Sequence, residues 1–91
     1  MKLRWTEKGV SDVTRLYEFL SPVNPPAAAR TVQSLTSAAG KLPDNPRLGE
    51  RVEGYETREV RRLLIGAYEM RYEILGETIV VLRIWHTREK R

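Results

Sequence analysis

A chain of 91 residues has room for one domain, since chains of this length seldom divide into two cores. Its 41% apolar and 31% charged content excludes a collagen-like or low-complexity chain, and no apolar run approaches the roughly 18 residues of a membrane span. Sixteen basic against twelve acidic side chains leave +4, which favours an acidic partner such as nucleic acid or an acidic protein segment and specifies neither. Cysteine is absent, so disulfides and thiolate-bound zinc are excluded and a reducing cytoplasm is the expected compartment. The opening MKLRWTEKG lacks the apolar stretch of a secretory signal.

Lys2 to Trp5 alternate polar and apolar, the pattern of a short strand. Thr6 then suits a helix N-cap, with Glu7 in the first turn, where a carboxylate complements the macrodipole. Val10, Val13, Leu16, Tyr17 and Leu20 recur at helical spacing and predict one apolar stripe, stopped by Ser21-Pro22. Asn24 is a second N-cap, followed by Pro25 and Pro26 in the first turn. That helix is expected to run to Ala39, with Gly40 as its C-cap. Its small residues would let the two helices pack as an antiparallel hairpin. Leu42 to Gly54 reads as an ordered connection.

Three strands follow. Glu59 to Ile65 leads into a two-residue Gly66-Ala67 turn with glycine first. Tyr68, Met70, Tyr72 and Ile74 alternate with Glu69, Arg71 and Glu73, the mark of a half-buried strand. Thr78 to His86 is apolar on both faces until Arg83, so it belongs inside the sheet. A three-residue loop at Gly76 sets Tyr72 against Val80, Met70 against Leu82, Tyr68 against Ile84 and Glu69 against Arg83. Tyr68, Met70, Tyr72, Leu82 and Ile84 then lie beneath the helices, with Tyr17 also facing the core. Arg62, Leu64, Glu69, Arg71, Arg83 and Trp85 share the open face, where binding or chemistry is to be sought.

These segments resemble the RelE/ParE superfamily of toxins from type II toxin–antitoxin pairs. WTEKGVSDVTRLYEFL is similar to its opening strand and first helix, and LPDNPRLGERV to its leucine–proline–glycine connection. VRRLLIGAYEMRYEILGETIVVLRIWHTREKR is similar to its arginine-then-tyrosine hairpin and basic C-terminal end. The resemblance implies an α+β fold: an N-terminal strand, an antiparallel helical hairpin, and an antiparallel meander packed on the helices.

The superfamily has two functional branches. RelE-type members are ribosome-dependent messenger-RNA endonucleases that use no metal and rely on basic side chains, often with a C-terminal tyrosine or histidine. Carried over by position, Arg62, His86 and Arg88 would form that catalytic set. Glu69, however, stands where such nucleases usually carry arginine, and no tyrosine follows Arg91. ParE-type members instead poison DNA gyrase. The expectation is therefore a ParE-like toxin, not an enzyme, with Arg83, Trp85, Arg88, Lys90 and Arg91 binding the target. Implied partners are a cognate antitoxin and DNA gyrase, with the ribosome and messenger RNA as the alternative, in a homodimer or a toxin–antitoxin hetero-oligomer. A degenerate toxin that only binds its antitoxin, or a generic basic binding module, are the other readings. No cofactor is implied, and one histidine with scattered acids makes no metal-ligand spacing.

Overall fold

The structure, a computed structural model, describes residues 1–89. In chain order it has β1 (Lys2–Trp5), α1 (Glu7–Leu20), α2 (Pro25–Lys41), β2 (Glu50–Arg51), β3 (Glu59–Ile65), β4 (Tyr68–Leu75) and β5 (Thr78–His86). The strands form one sheet in the order β1-β5-β4-β3-β2. The expected α+β architecture is the one observed. Its sheet is mixed, because β1 runs parallel to β5 while every other pair is antiparallel. The short β2 lies within the segment expected to be an ordered connection, and pairs with Arg61 and Arg62 of β3. Among the described residues, no helix is long and apolar enough to cross a membrane.

Both helices start where the sequence signals them. Thr6 Oγ1 accepts the Gly9 N–H at 2.9 Å, and Asn24 Oδ1 accepts that of Ala27 at 3.1 Å; each satisfies a donor that the first turn leaves unpaired. At the far end α2 passes through Gly40 to Lys41, with Leu42 as cap. Leu42 is wholly buried and its N–H reaches Ala39 O at 3.1 Å, so core packing extends the helix past the glycine.

The core lies between the helical hairpin and one face of the sheet. Leu35, Ala39, Leu42, Met70, Tyr72, Ile79, Val81 and Ile84 are its wholly buried members. The Tyr72 hydroxyl accepts the Gly49 N–H at 2.9 Å and donates to Pro46 O at 2.8 Å, pinning the connection onto the core. A side chain at Gly49 would run into the Arg62 carbonyl and the Tyr72 ring, so only glycine permits that approach.

The β4–β5 register differs from the sequence expectation. The turn is a strict two-residue Gly76-Glu77, with Leu75 opposite Thr78, and the extra residue sits in β5 as a bulge at Leu82. Tyr72 therefore faces Val81, Met70 faces Ile84, Tyr68 faces His86 and Glu69 faces Trp85. Val81 takes the wholly buried place expected of Leu82, which is half-buried. The cause lies at the sheet edge. β1 ends at Trp5, and Thr6 then takes two successive carbonyls, its N–H on Val81 O at 3.0 Å and its hydroxyl on Leu82 O at 2.8 Å. Successive carbonyls pointing to one side are what a bulge provides.

α1 is also rotated from its expected stripe. Gly9, Asp12 and Leu16 are buried, whereas Val10 and Tyr17 are exposed. Tyr17 is thus not a core residue, because the polar edge of β5 sets the orientation of α1.

Candidate functional site

The open face carries a row of three arginines. Arg62 on β3 stands opposite Arg71 on β4, which stands opposite Arg83 on β5. Like charges in register repel, and each of these is matched by its own carboxylate. Arg62 pairs with Glu50 of β2, and Arg71 Nη2 lies 3.1 Å from Glu69 Oε2. Arg83 Nε and Nη2 lie 2.8 and 3.2 Å from Asp12 Oδ2 and Oδ1. The Trp85 indole shares both inner guanidiniums, with Arg71 and Arg83 centred 5.1 and 5.3 Å from its ring, a cation–π geometry. Beside the row, Arg58 forks onto Glu73 at 3.0 and 2.9 Å. Asp12 and Glu73 hold the Arg83 and Arg58 guanidiniums above their ordinary pKa through these hydrogen bonds.

Asp12 has a second role. Beyond β1, the outer edge of β5 has no strand partner among the described residues, and α1 side chains take its place. Asp12 Oδ2 accepts the Ile84 N–H at 2.8 Å, and Arg15 Nη2 donates to Ile84 O at 3.2 Å. Burial raises the Asp12 pKa, but the Arg83 fork, the Ile84 amide and Arg15 outweigh it and leave the carboxyl below its ordinary value.

The end of β5 borders a different feature, a largely apolar groove of about 550 Å³. Leu16, Phe19 and Leu20 of α1 line one side, with Tyr68, His86 and Arg88 opposite. The α1 stripe overhangs the sheet here, so Phe19 is 71% exposed and Val23 beyond it 88%. The His86 ring meets Tyr68 edge-on at 5.3 Å. Its Nδ1 accepts the Arg88 N–H at 3.1 Å, which places the neutral ring's proton on Nε2.

The expected site residues thus divide into two groups. Arg62, Arg83 and Trp85 are on the open face, whereas His86 pairs with Tyr68 on the helix side and Arg88 follows it. The nuclease set of Arg62, His86 and Arg88 is not brought together. Lys90 and Arg91 lie outside the described residues. Glu69, expected to pair with Arg83, instead holds Arg71. Sequence reasoning missed Asp12, Arg15 and Glu89. The 12–15 spacing is legible as an i,i+3 ion pair, but no local signal links it to a strand 71 positions away. Among the described residues, no group of three His, Cys, Asp or Glu side chains is placed to hold a metal.

A family model described as the ParE toxin of the type II toxin–antitoxin system parDE matches residues 3–91. The chain belongs to the ParE toxin family. This ParE-family toxin is 40% identical over 82 residues to toxin RelE1 of Caulobacter vibrioides, covering 88% of this chain and 86% of that one. Its fold matches a structure of the chromosomal ParDE system from P. aeruginosa with a TM-score of 0.80 at 24% identity, covering 94% of this chain and 95% of that one. The RelBE2 toxin–antitoxin complex from Mycobacterium tuberculosis matches with a TM-score of 0.66 at 27% identity, over 93% and 95% of the two chains. The molecule is therefore a type II toxin of the ParE/RelE superfamily.

Proposed function

We propose that this toxin acts in the cytoplasm by binding DNA gyrase and does not cleave messenger RNA on the ribosome. The observation that carries this reading is the arginine row. A phosphoryl-transfer site needs preorganised cations aimed at the developing charge, and here Arg62, Arg71 and Arg83 are each already paired with a carboxylate. His86 faces the other side of the sheet from Arg62. The family match to ParE toxins supports the same branch. Target contact falls instead to the basic C-terminal end, with Arg88, Lys90 and Arg91; Arg83, held by Asp12, and the buried Trp85 lie on the other face of the sheet.

A cognate antitoxin is the second partner, in keeping with the toxin–antitoxin complex among the structural neighbours. The overhanging apolar side of α1 with its groove suits an amphipathic segment of such a partner. A segment seated there would also cover Arg88, which lines the groove.

The nuclease reading keeps one observation of its own, that His86 and Arg88 line the same groove, an acid–base residue and a cationic one. The deciding experiment places the protein in two assays, primer extension on translating ribosomes and a gyrase cleavage assay. Stabilised gyrase–DNA cleavage complexes with intact messenger RNA are expected. Codon-phased cuts that vanish in Arg88→Ala, with no gyrase effect, would sink the gyrase reading. Silence in both assays, with antitoxin binding retained in a pull-down, would support the reading of an inactive antitoxin binder.

A further inference from the structure

The end of a chain usually frays unless something ties it down. In the turn after β5, all four backbone N–H groups from His86 to Glu89 are bonded. Thr87 donates to Ala67 O at 2.8 Å and Glu89 to His86 O at 2.9 Å. Arg88 donates to the His86 imidazole at 3.1 Å, and His86 to Glu89 Oε1 at 2.8 Å. Glu89 is the centre of this arrangement. Its other oxygen, Oε2, accepts from Arg15 Nη1 at 2.6 Å, and Arg15 in turn bonds the buried Asp12 and the carbonyl of Ile84. The last turn is therefore fastened to the same anchor that secures α1 to the sheet edge.

One charged side chain in this turn is left uncommitted. Arg88 is exposed, and its guanidinium makes no ion pair with any described residue, because the neighbouring Glu89 carboxylate is turned inward onto Arg15. A rigid backbone carrying an unpaired guanidinium is a preorganised contact. The ordering cost is met within the fold, and the planar fork suits a carboxylate-bearing surface.

We propose that Glu89 is a positioning residue that holds the 86–89 turn so that Arg88 is presented to an acidic surface of the toxin's protein target. This rests on the reading that the C-terminal end makes the target contact. Glu89 itself touches no target. Were its role only to cap the strand, its loss would add to that of Arg88; if it acts through Arg88, the two losses cannot add.

The test uses the full chain in four forms: Arg88→Ala, Glu89→Ala, Glu89→Gln and the Arg88→Ala/Glu89→Ala double variant. Killing on induction is scored beside amide hydrogen exchange. Arg88→Ala and Glu89→Ala should each reduce killing by about tenfold or more, the scale of a lost interface arginine. The double variant should match Arg88→Ala, and Glu89→Gln, which keeps an acceptor for the His86 N–H, should fall between. Exchange at His86 and Arg88 should quicken in Glu89→Ala while the Met70 and Ile84 amides stay protected, which separates a loosened turn from an unfolded protein. Killing lost in Arg88→Ala but kept in Glu89→Ala would overturn the proposal alone, as would losses that multiply in the double variant. Killing kept in Arg88→Ala would overturn both the proposal and the target-contact reading beneath it.

Discussion

Arg71 and Arg83 face each other directly across β4 and β5, with the Trp85 indole within 5.1 and 5.3 Å of their guanidinium carbons. A like-charge pair at this position is unfavourable. It persists because Glu69 and Asp12 each take one guanidinium, from β4 and from α1 respectively.

Removing Asp12 should expose this dependence. Asp12→Ala leaves Arg83 against Arg71 without its counter-charge and leaves the Ile84 N–H without its acceptor. The half-exposed Arg83 can turn to water, but the buried Ile84 N–H cannot, at a cost of about 1–3 kcal/mol, and the urea unfolding midpoint should fall accordingly. Asp12→Asn, which can still accept from Ile84, should lose less. Equal stability of Asp12→Ala and the parent would mean that β5 does not need α1 at its edge.

Acid should act on the same contacts. Asp12 and Glu89 are raised by burial but lowered more by their hydrogen bonds, Asp12 by Arg83, Ile84 and Arg15, and Glu89 by the His86 amide and Arg15. Both folded-state values therefore lie below the unfolded ones. Their stabilisation is fully present above the ordinary carboxylate range of about 3.9–4.3 and is lost as pH falls through the depressed folded values. Unfolding free energy measured from neutral to acid pH should drop at the acid end, and the drop should be shallower in Asp12→Asn.

Gly49 and Tyr72 should behave as one unit. Gly49→Ala drives a methyl group against the Arg62 carbonyl, a backbone neighbour that cannot swing away, at an expected cost of about 1–3 kcal/mol. Tyr72→Phe removes the hydroxyl that both accepts from Gly49 and donates to Pro46, costing about 1–3 kcal/mol by leaving buried groups unpaired. The double variant should be less destabilised than the two added together, since the sites share a contact. Thermal unfolding of the three proteins checks it.

Truncation after Thr87 should abolish growth inhibition while the remaining chain still binds its antitoxin. It removes Arg88, Lys90 and Arg91 from the proposed target contact and leaves the apolar side of α1 in place. Retained toxicity in the truncated chain would place target contact elsewhere.

Much of the fold was legible because its signals are local. Thr6, Asn24 and the Pro25-Pro26 pair mark the helix starts, and the alternation from Tyr68 to Ile74 identifies β4 and both of its faces. The register of β5 was not, since its faces can be kept by an extra residue either in the Gly76 loop or within the strand. What decides between them is Thr6, which holds the Val81 and Leu82 carbonyls from 75 and 76 positions away. The same distance hid Asp12, whose place beside an apolar stripe reads as a surface acid until β5 is set against it. At the candidate site, the open-face positions of Arg62, Arg83 and Trp85 followed from alternation. Their carboxylate partners did not, because Glu50 and Asp12 come from other elements.

The parallel pairing of β1 with β5 joins the first strand to be synthesised with the last. Until β5 is made, β1 has no neighbour in the sheet, α1 has no edge to cap, and Ile79, Val81 and Ile84 are missing from the core. Contacts this distant in sequence form late and slowly. Chains stalled at Leu75 should be digested by protease as readily as unfolded ones, and chains completed to Glu89 should resist. With translation at about 5–20 residues per second, several seconds separate the synthesis of β1 from that of β5, and throughout that interval the parallel edge of the sheet does not exist.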